Sequence, residues 1–172
     1  TLAVLEAGAD PENAAAVLEG VSRCVIDQCE GRTLLDGSDV SVRIRSEAVT
    51  EAVSAVSAHP RVRALLVAAQ REWVDRQSRP AVVEGRDIGT VVFPDAALKV
   101  FLDADPEVRA ARRSGETGAA SDLVAEALRR RDRYDSTRAA SPLRPADDAI
   151  YLDTTHLTLS EVVEAIIDQL KG

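Results

Sequence analysis

The period of apolar positions changes several times along the chain, and each change marks an element. Residues 81 to 83 (Ala-Val-Val) and 98 to 102 (Leu-Lys-Val-Phe-Leu) are short β-branched or aromatic runs ended by acids or glycine, as in buried strands of a parallel sheet. The chain between them is too long for a tight hairpin and barely long enough for a one-turn crossover. Elsewhere the period is helical. Residues 1 to 7 predict the tail of a helix stopped by Gly8. Asp10-Pro11 predicts the start of a short helix over 12 to 19, closed at Gly20. Ser46 caps a predicted helix to Ser57, with Ala48, Val49, Ala52, Val53 and Val56 as its stripe. His59-Pro60 interrupts, and a further helix over 61 to 77 places Val62, Leu65, Leu66, Ala69 and Trp73 on one face.

Between 21 and 45 the pattern is different. Cys24-Val25-Ile26-Asp27, Arg32-Thr33-Leu34-Leu35 and Val40-Ser41-Val42-Arg43-Ile44 are strand-like runs separated by turn residues at Glu30-Gly31 and Asp36-Gly37. They predict a small antiparallel meander. Later, Asp105-Pro106 starts a helix carrying Arg109, Arg112 and Arg113, and the polar, glycine-rich run 114 to 118 predicts a mobile break. Ser121-Asp122 opens another helix to about Tyr134, with Leu123, Val124, Ala127 and Leu128 facing inward. Ile150 to Asp153 is a last strand, and Thr158-Leu159-Ser160-Glu161 is a capping box for the closing helix over 161 to 170. Strand, crossover, strand, helix pair, strand and helix spell an α/β fold with a parallel sheet.

Composition narrows the function classes. A chain of 172 residues with net charge −8 and 3% aromatic residues lacks the basic, stacking-rich surface that nucleic-acid binding needs. No apolar run approaches the roughly 20 residues of a membrane span, and no signal peptide is visible. Cys24 and Cys29 predict reduced thiols in a cytoplasmic protein, and His59 and His156 lack ligand spacing, so no metal site is expected. The chain contains no Met and starts in mid-pattern, so it is expected to be a piece whose true beginning lies upstream.

Candidate chemistry gathers at the end of the first strand-like run, at Glu84-Gly85-Arg86-Asp87. In open α/β sheets, ligands bind beyond the carboxyl ends of strands, where glycine admits backbone close to a ligand and arginine forks match phosphate oxygens. A surface turn with charges capping a strand is the plainer alternative. Arg109, Arg112, Arg113, Arg129, Arg130, Arg131, Arg133 and Arg138 concentrate on the two helices flanking the glycine-rich break. That spacing fits an arginine-bearing lid folding over an anion, with phosphate the natural guest. A solvated face of salt bridges is the competing account, since Glu107, Glu126, Asp132 and Asp135 lie among them.

Two longer segments carry a family resemblance. Glu84-Gly85-Arg86-Asp87-Ile88-Gly89-Thr90-Val91-Val92-Phe93-Pro94-Asp95-Ala96 resembles the central motif of bacterial cytidylate (CMP) kinases, and so does Arg130-Arg131-Asp132-Arg133-Tyr134-Asp135-Ser136-Thr137-Arg138-Ala139-Ala140-Ser141-Pro142-Leu143. Segments 39 to 45 and 53 to 63 fit in the same order, so the resemblance covers essentially the whole chain. It implies the three-layer P-loop nucleoside monophosphate kinase fold: a parallel core sheet, an acceptor-binding lobe over 1–77 with the β insert at about 21–45, and the rest of the core over 78–172 with a short arginine-rich lid at about 109–133. It further implies transfer of the γ-phosphoryl group of ATP, with Mg2+, onto CMP or dCMP by a cytoplasmic monomer. Arg63, Arg86 and Arg131 would hold the acceptor phosphate, converging above the sheet. Ser54 and Asp87 would read the cytosine amino edge. Asp135 would bind the sugar hydroxyls, with Arg138 fixing Asp135 and approaching the phosphate. Arg86, Arg131 and Arg138 would serve catalysis, and Arg109, Arg112, Arg113 and Arg130 would meet the ATP phosphates from the lid.

One departure stands out. No G-x-x-x-x-G-K-[ST] occurs in the 172 residues, so the backbone cradle for the donor phosphates is expected upstream. The lid is also shorter than the family usually shows around Arg113-Ser114. A non-catalytic nucleotide-binding module, or a related kinase acting on another small molecule such as UMP, remains open on sequence grounds. The expected outcome is that these 172 residues alone form no CDP from CMP and ATP in a coupled assay; turnover above background would contradict an upstream donor site.

Overall fold

The computed structural model describes residues 1–29, 31–118, 120–137 and 143–171. The chain divides into two compact units, Thr1–Ser78 and Arg79–Gly172.

In the first unit four helices each contribute one valine to the core. They are α1 (Leu2–Glu6), α2 (Ala14–Ser22), α3 (Glu47–Ala58) and α4 (Pro60–Asp75). Val4, Val17, Val56 and Val62 are buried together, and Leu18, Val21 and Leu66 pack around them. α2 begins later than its sequence suggests and does not stop at Gly20. The Asp10 side chain accepts from the Glu12 amide at 3.0 Å, and the Asp10 carbonyl takes the Asn13 amide at 3.0 Å. Asp10-Pro11 is therefore spent on a turn, and the Asn13 side chain becomes the cap, accepting from Ala15 and Ala16 at 3.1 Å. Gly20 stays helical where α2 crosses α1; a Cβ there would sit 3.6 Å from Val4 Cγ2. Ser46 caps α3 as the sequence predicts, and α4 begins at Pro60, one residue before the expected start. On α4 the inward face holds Val62 and Leu66, whereas Leu65 and Ala69 are exposed. His59 Nε2 lies 2.8 Å from the Pro11 carbonyl, tying the corner between α3 and α4 to the turn before α2.

The meander is present, with β1 (Ile26–Cys29), β2 (Arg32–Leu35) and β3 (Ser38–Asp39) antiparallel in that order. Asp36 and Gly37 both take positive φ, 50° and 79°, the two-residue turn that pairs Leu35 with Ser38. β1 starts two residues later than expected. The third strand is shorter: after Asp39 the chain turns, with the Ile44 amide bonded to the Val40 carbonyl at 3.0 Å and a 3-10 turn at Arg43–Arg45. Val40, Val42 and Ile44 alternate in sequence, but Val40 is buried and Val42 is exposed on a turn rather than a strand.

The second unit is built on a parallel pair, β4 (Val100–Asp103) and β5 (Ile150–Asp153), in register from Val100↔Ile150 to Asp103↔Asp153. Residues 81 to 83 form no strand, and Val82 is fully exposed. A short apolar run becomes a strand only when a neighbour supplies its ladder, and among the described residues β4 pairs with β5. α5 (Pro106–Thr117) begins at the Asp105 cap, as expected, but runs through most of the predicted break. It ends at Gly118, whose φ of 69° is the left-handed cap conformation. α6 (Ser121–Thr137) turns Val124, Leu128, Arg131 and Asp135 inward, while Leu123 and Ala127 face out. Of the four residues expected inward, Val124 and Leu128 are and Leu123 and Ala127 are not. α7 (Leu159–Lys171) carries the predicted capping box: Glu161 Oε2 accepts from the Thr158 amide at 2.7 Å, and the Glu161 amide donates to Thr158 Oγ1 at 3.3 Å. Among the described residues no helix is long and apolar enough to cross a membrane.

Val62 is fully buried among the valines of four helices, so Val62→Ala is expected to cost about 2 kcal/mol, the transfer energy of two methyl groups plus a small cavity. A urea midpoint shift corresponding to less than about 0.5 kcal/mol would mean that this valine cluster is not the core of the first unit.

Candidate active site

The segment 84 to 92 is folded tightly before it reaches β4. The side chain of Ile88 folds back on Gly85, and a Cβ at Gly85 would lie 2.9 Å from Ile88 Cγ1, so a side chain there would require Ile88 to shift. Ile88–Val92 then form a single π-turn. The Asp87 carbonyl accepts from Val91 N at 2.9 Å, Val92 N at 3.3 Å and Thr90 Oγ1 at 3.3 Å, and Phe93 N donates to the Ile88 carbonyl at 2.7 Å. π-turns interrupt ordinary geometry and recur at functional sites. Here the turn leaves Asp87 buried at its mouth, with Arg86 reaching toward α6.

Three guanidinium groups from three segments meet two carboxylates of α6. Arg86 Nη1 donates to Asp132 Oδ1 at 2.8 Å, and Arg86 Nε lies 3.5 Å from Asp135 Oδ2. Arg109 of α5 donates through Nη1 to the other oxygen of Asp132 and through Nε to the Ala104 carbonyl at 3.1 Å. Arg131 Nε lies 3.7 Å from Asp135 Oδ2, an i,i+4 pair along α6. Asp135 is buried, and Asp132, Arg86, Arg109 and Arg131 are partly so.

Electrostatics follow from this packing. Burial and the neighbouring Arg86 charge pull Arg131 below the usual arginine range, against the opposing pull of Asp135 and Asp132. Burial opposes ionisation of Asp132, but the hydrogen bond from Arg109 and the charge and hydrogen bond of Arg86 outweigh it and hold the carboxyl below the usual aspartate range. Three guanidiniums thus stand against the two carboxylates of α6 in a chain whose net charge is −8.

The other residues singled out in the sequence are placed as follows. Arg112 turns away from the cluster and donates to Thr154 Oγ1 at 3.0 Å and to the Thr154 and Leu157 carbonyls at 2.6 and 3.0 Å, fastening α5 to the loop after β5. Arg113 pairs with Glu116 at 2.9 Å on the surface of α5, and Arg130 is exposed on α6. In the first unit Ser54 is half-buried on α3, its carbonyl accepting from Ser57 Oγ at 3.1 Å, and Arg63 Nη1 donates to the Ser57 carbonyl at 3.4 Å. Arg63 thus lies across the last turn of α3, one turn beyond Ser54. Arg138 and residues 139 to 142 of the second motif lie outside the described residues. Asp132 is the group that sequence reasoning counted only as background charge. Its spacing of three from Asp135 puts both carboxylates on one side of α6, and that was the available signal. Among the described residues no group of three or more His, Cys, Asp or Glu is arranged to hold a metal ion.

A family model described as cytidylate kinase matches residues 1–172. The chain belongs to the cytidylate kinase family. It is 50% identical over 176 residues to a cytidylate kinase of Mycobacterium leprae, covering 99% of this chain and 78% of that relative. It is 48% identical to a cytidylate kinase of Streptomyces griseus, covering 98% and 75%, and 49% identical to one of Nocardia farcinica, covering 96% and 75%. The two motifs that resemble cytidylate kinases are the segments that supply Arg86 and Asp87 on one side of the cluster and Arg131, Asp132 and Asp135 on the other.

Because the folded Asp132 carboxyl is held below its ordinary value, it stabilises the fold at pH above the unfolded value, and this contribution is lost as pH falls through the folded one. Asp132→Asn is expected to flatten the fall in urea midpoint below about pH 4 relative to the unsubstituted chain. Parallel profiles for the two proteins would show that the carboxylate is not coupled to Arg86 and Arg109.

Proposed function

We propose that the guanidinium cluster of the second unit takes the phosphate of CMP or dCMP as acceptor for the γ-phosphoryl group of ATP. The observation that carries this is the meeting of Arg86 and Arg131 at the buried Asp135 of α6, with Arg109 beside them on Asp132. A dianion at this place would supply the negative charge that burial and the Arg86 charge make Arg131 lack, and would relieve repulsion among like charges. Phosphoryl transfer asks a protein chiefly for positioning and charge neutralisation, which arginine forks supply without proton exchange.

In this assignment Arg86 and Arg131 hold the acceptor phosphate and stabilise charge in transfer, with Arg138 of the same motif as a third candidate. Buried Asp87 is suited to accept from the exocyclic amine of cytosine, a group that uracil replaces with a carbonyl, and Asp135 is suited to the sugar hydroxyls. In the first unit the same assignment gives Ser54 the base and Arg63 the acceptor phosphate. Arg109 is the lid arginine best supported for the donor phosphates, since it already shares Asp132 with Arg86. Mg2+ would come with ATP, bound through the phosphates themselves, where it neutralises developing charge. The protein is proposed to work as a monomer in the cytoplasm.

Titration calorimetry with CMP tests the acceptor site directly. Arg131→Ala is expected to weaken CMP binding about 10- to 100-fold, the worth of a charge-assisted hydrogen bond pair to phosphate. Asp87→Asn is expected to narrow the preference for CMP over UMP by about tenfold or more, because one carboxylate oxygen becomes an NH2 donor that suits the carbonyl of uracil rather than the amine of cytosine. Unchanged affinity in the first variant would remove the phosphate from this cluster, and unchanged preference in the second would remove Asp87 from base reading.

A further inference from the structure

We infer that Lys99 is a positioning residue for the Arg86–Asp87 loop, acting through its methylene stem rather than its charge. The inference rests on the acceptor-site assignment above, because it concerns how that loop is held.

Arg86 and Asp87 stand between two glycines, and an aliphatic chain runs close to each. Ile88 folds back over Gly85. On the other side, a Cβ built on Gly89 would be in ordinary contact with Lys99 Cδ at 3.4 Å, Cγ at 3.5 Å and Cβ at 3.6 Å, so three successive carbons of the lysine run alongside Gly89. The stem cannot easily leave. At one end the Lys99 carbonyl accepts from Ile150 N at 2.9 Å, extending the β4–β5 ladder by one bond. At the other, Nζ donates to both oxygens of Asp148 at 2.6 and 2.8 Å. The Lys99 side chain is only 8% exposed, although a lysine on a surface would place its charge in water and leave its stem mobile.

The consequence is mechanical. Gly89 is the second residue of the π-turn whose first carbonyl, that of Asp87, takes the Val91 and Val92 amides. A lysine strapped between the sheet and Asp148 therefore bears on the turn that sets where Asp87 and Arg86 lie. Interior packing transmits such contacts because it is dense and poorly compressible. The charge of Lys99 has a subordinate part. Asp148 is largely exposed, and the ion pair serves to aim the stem, since exposed pairs contribute little stability by themselves.

The experiment compares Lys99→Ala, which removes the stem, with Lys99→Met, which keeps its length and removes the charge. Both are measured by CMP calorimetry well below the unfolding transition and by amide exchange. Lys99→Ala is expected to raise the Kd for CMP by about tenfold, the scale of a small misplacement in a preorganised site, and to speed exchange of the Val91 and Val92 amides. Lys99→Met is expected to stay within about twofold in affinity and to leave exchange unchanged. A merely structural lysine would lower the melting temperature and leave both CMP affinity and local exchange alone, and that result overturns the inference. Equal losses in Lys99→Ala and Lys99→Met would also overturn it, by placing the role in the charge. If the unsubstituted chain does not bind CMP, the proposed function falls while the exchange comparison still decides the role of Lys99.

Discussion

The second unit depends on a carboxylate shared by two guanidiniums. Asp132 takes Arg86 with one oxygen and Arg109 with the other, and so joins a loop, α5 and α6 through a single side chain. Without it, Arg86, Arg109 and Arg131 would be like charges in a partly desolvated space with one carboxylate fewer to oppose them. Stability does not account for such an arrangement. Desolvating an ion pair costs several kcal/mol per charge, and well-packed apolar replacements are often neutral or better. A fold that needed only to be stable could place leucines here. What the charged version supplies is fixed direction: planar forks held at set angles by carboxylate oxygens.

The same division between holding and presenting recurs along α5. Arg109 and Arg112 are three residues apart, close to one turn, yet they serve different ends of the helix environment. Arg112 binds three oxygens of the loop after β5 and fastens the helix to the sheet, while Arg109 is presented to Asp132. Arg113, next in sequence, points to the surface and Glu116. Arginine density in a sequence therefore marks a region, and only the helical phase of each residue says which guanidinium anchors and which is offered.

That is also where reading from sequence reached its limit. The helices of the first unit, the meander and the capping box were legible because each depends on neighbours within a few residues: Ser46 before α3, Pro60 before α4, the Asp36-Gly37 turn, Thr158 with Glu161. Misses came where a distant partner decides. Residues 81 to 83 look like a strand but carry no ladder, and Val40 to Ile44 alternate like a strand but close into a turn. The π-turn at Ile88–Val92 left no periodic trace, because five residues are too few to express a period. Of the site, the two motifs and their arginines were visible through resemblance. The pairing of Asp132 with Arg86 across 46 residues was not, since nothing in a one-dimensional pattern distinguishes a bridging carboxylate from a solvated one.

α6 makes the distinction in physical terms. Its outward side carries Arg129, Arg130 and Arg133, which are exposed and free to exchange partners with water and salt. Its inward side runs Val124, Leu128, Arg131, Asp135: two apolar turns followed by two charged ones on the same stripe. Helix geometry alone carries the stripe from core to site, because residues three and four apart stack along one face whatever their chemistry. The apolar half fixes the rotation of the helix by burial, and that rotation then decides which of the later charges face inward. Asp135 is buried because Val124 is. The placement of the charged half is thus inherited from the packing of the apolar half, which ties the electrostatics of the cluster to an aliphatic contact three turns away.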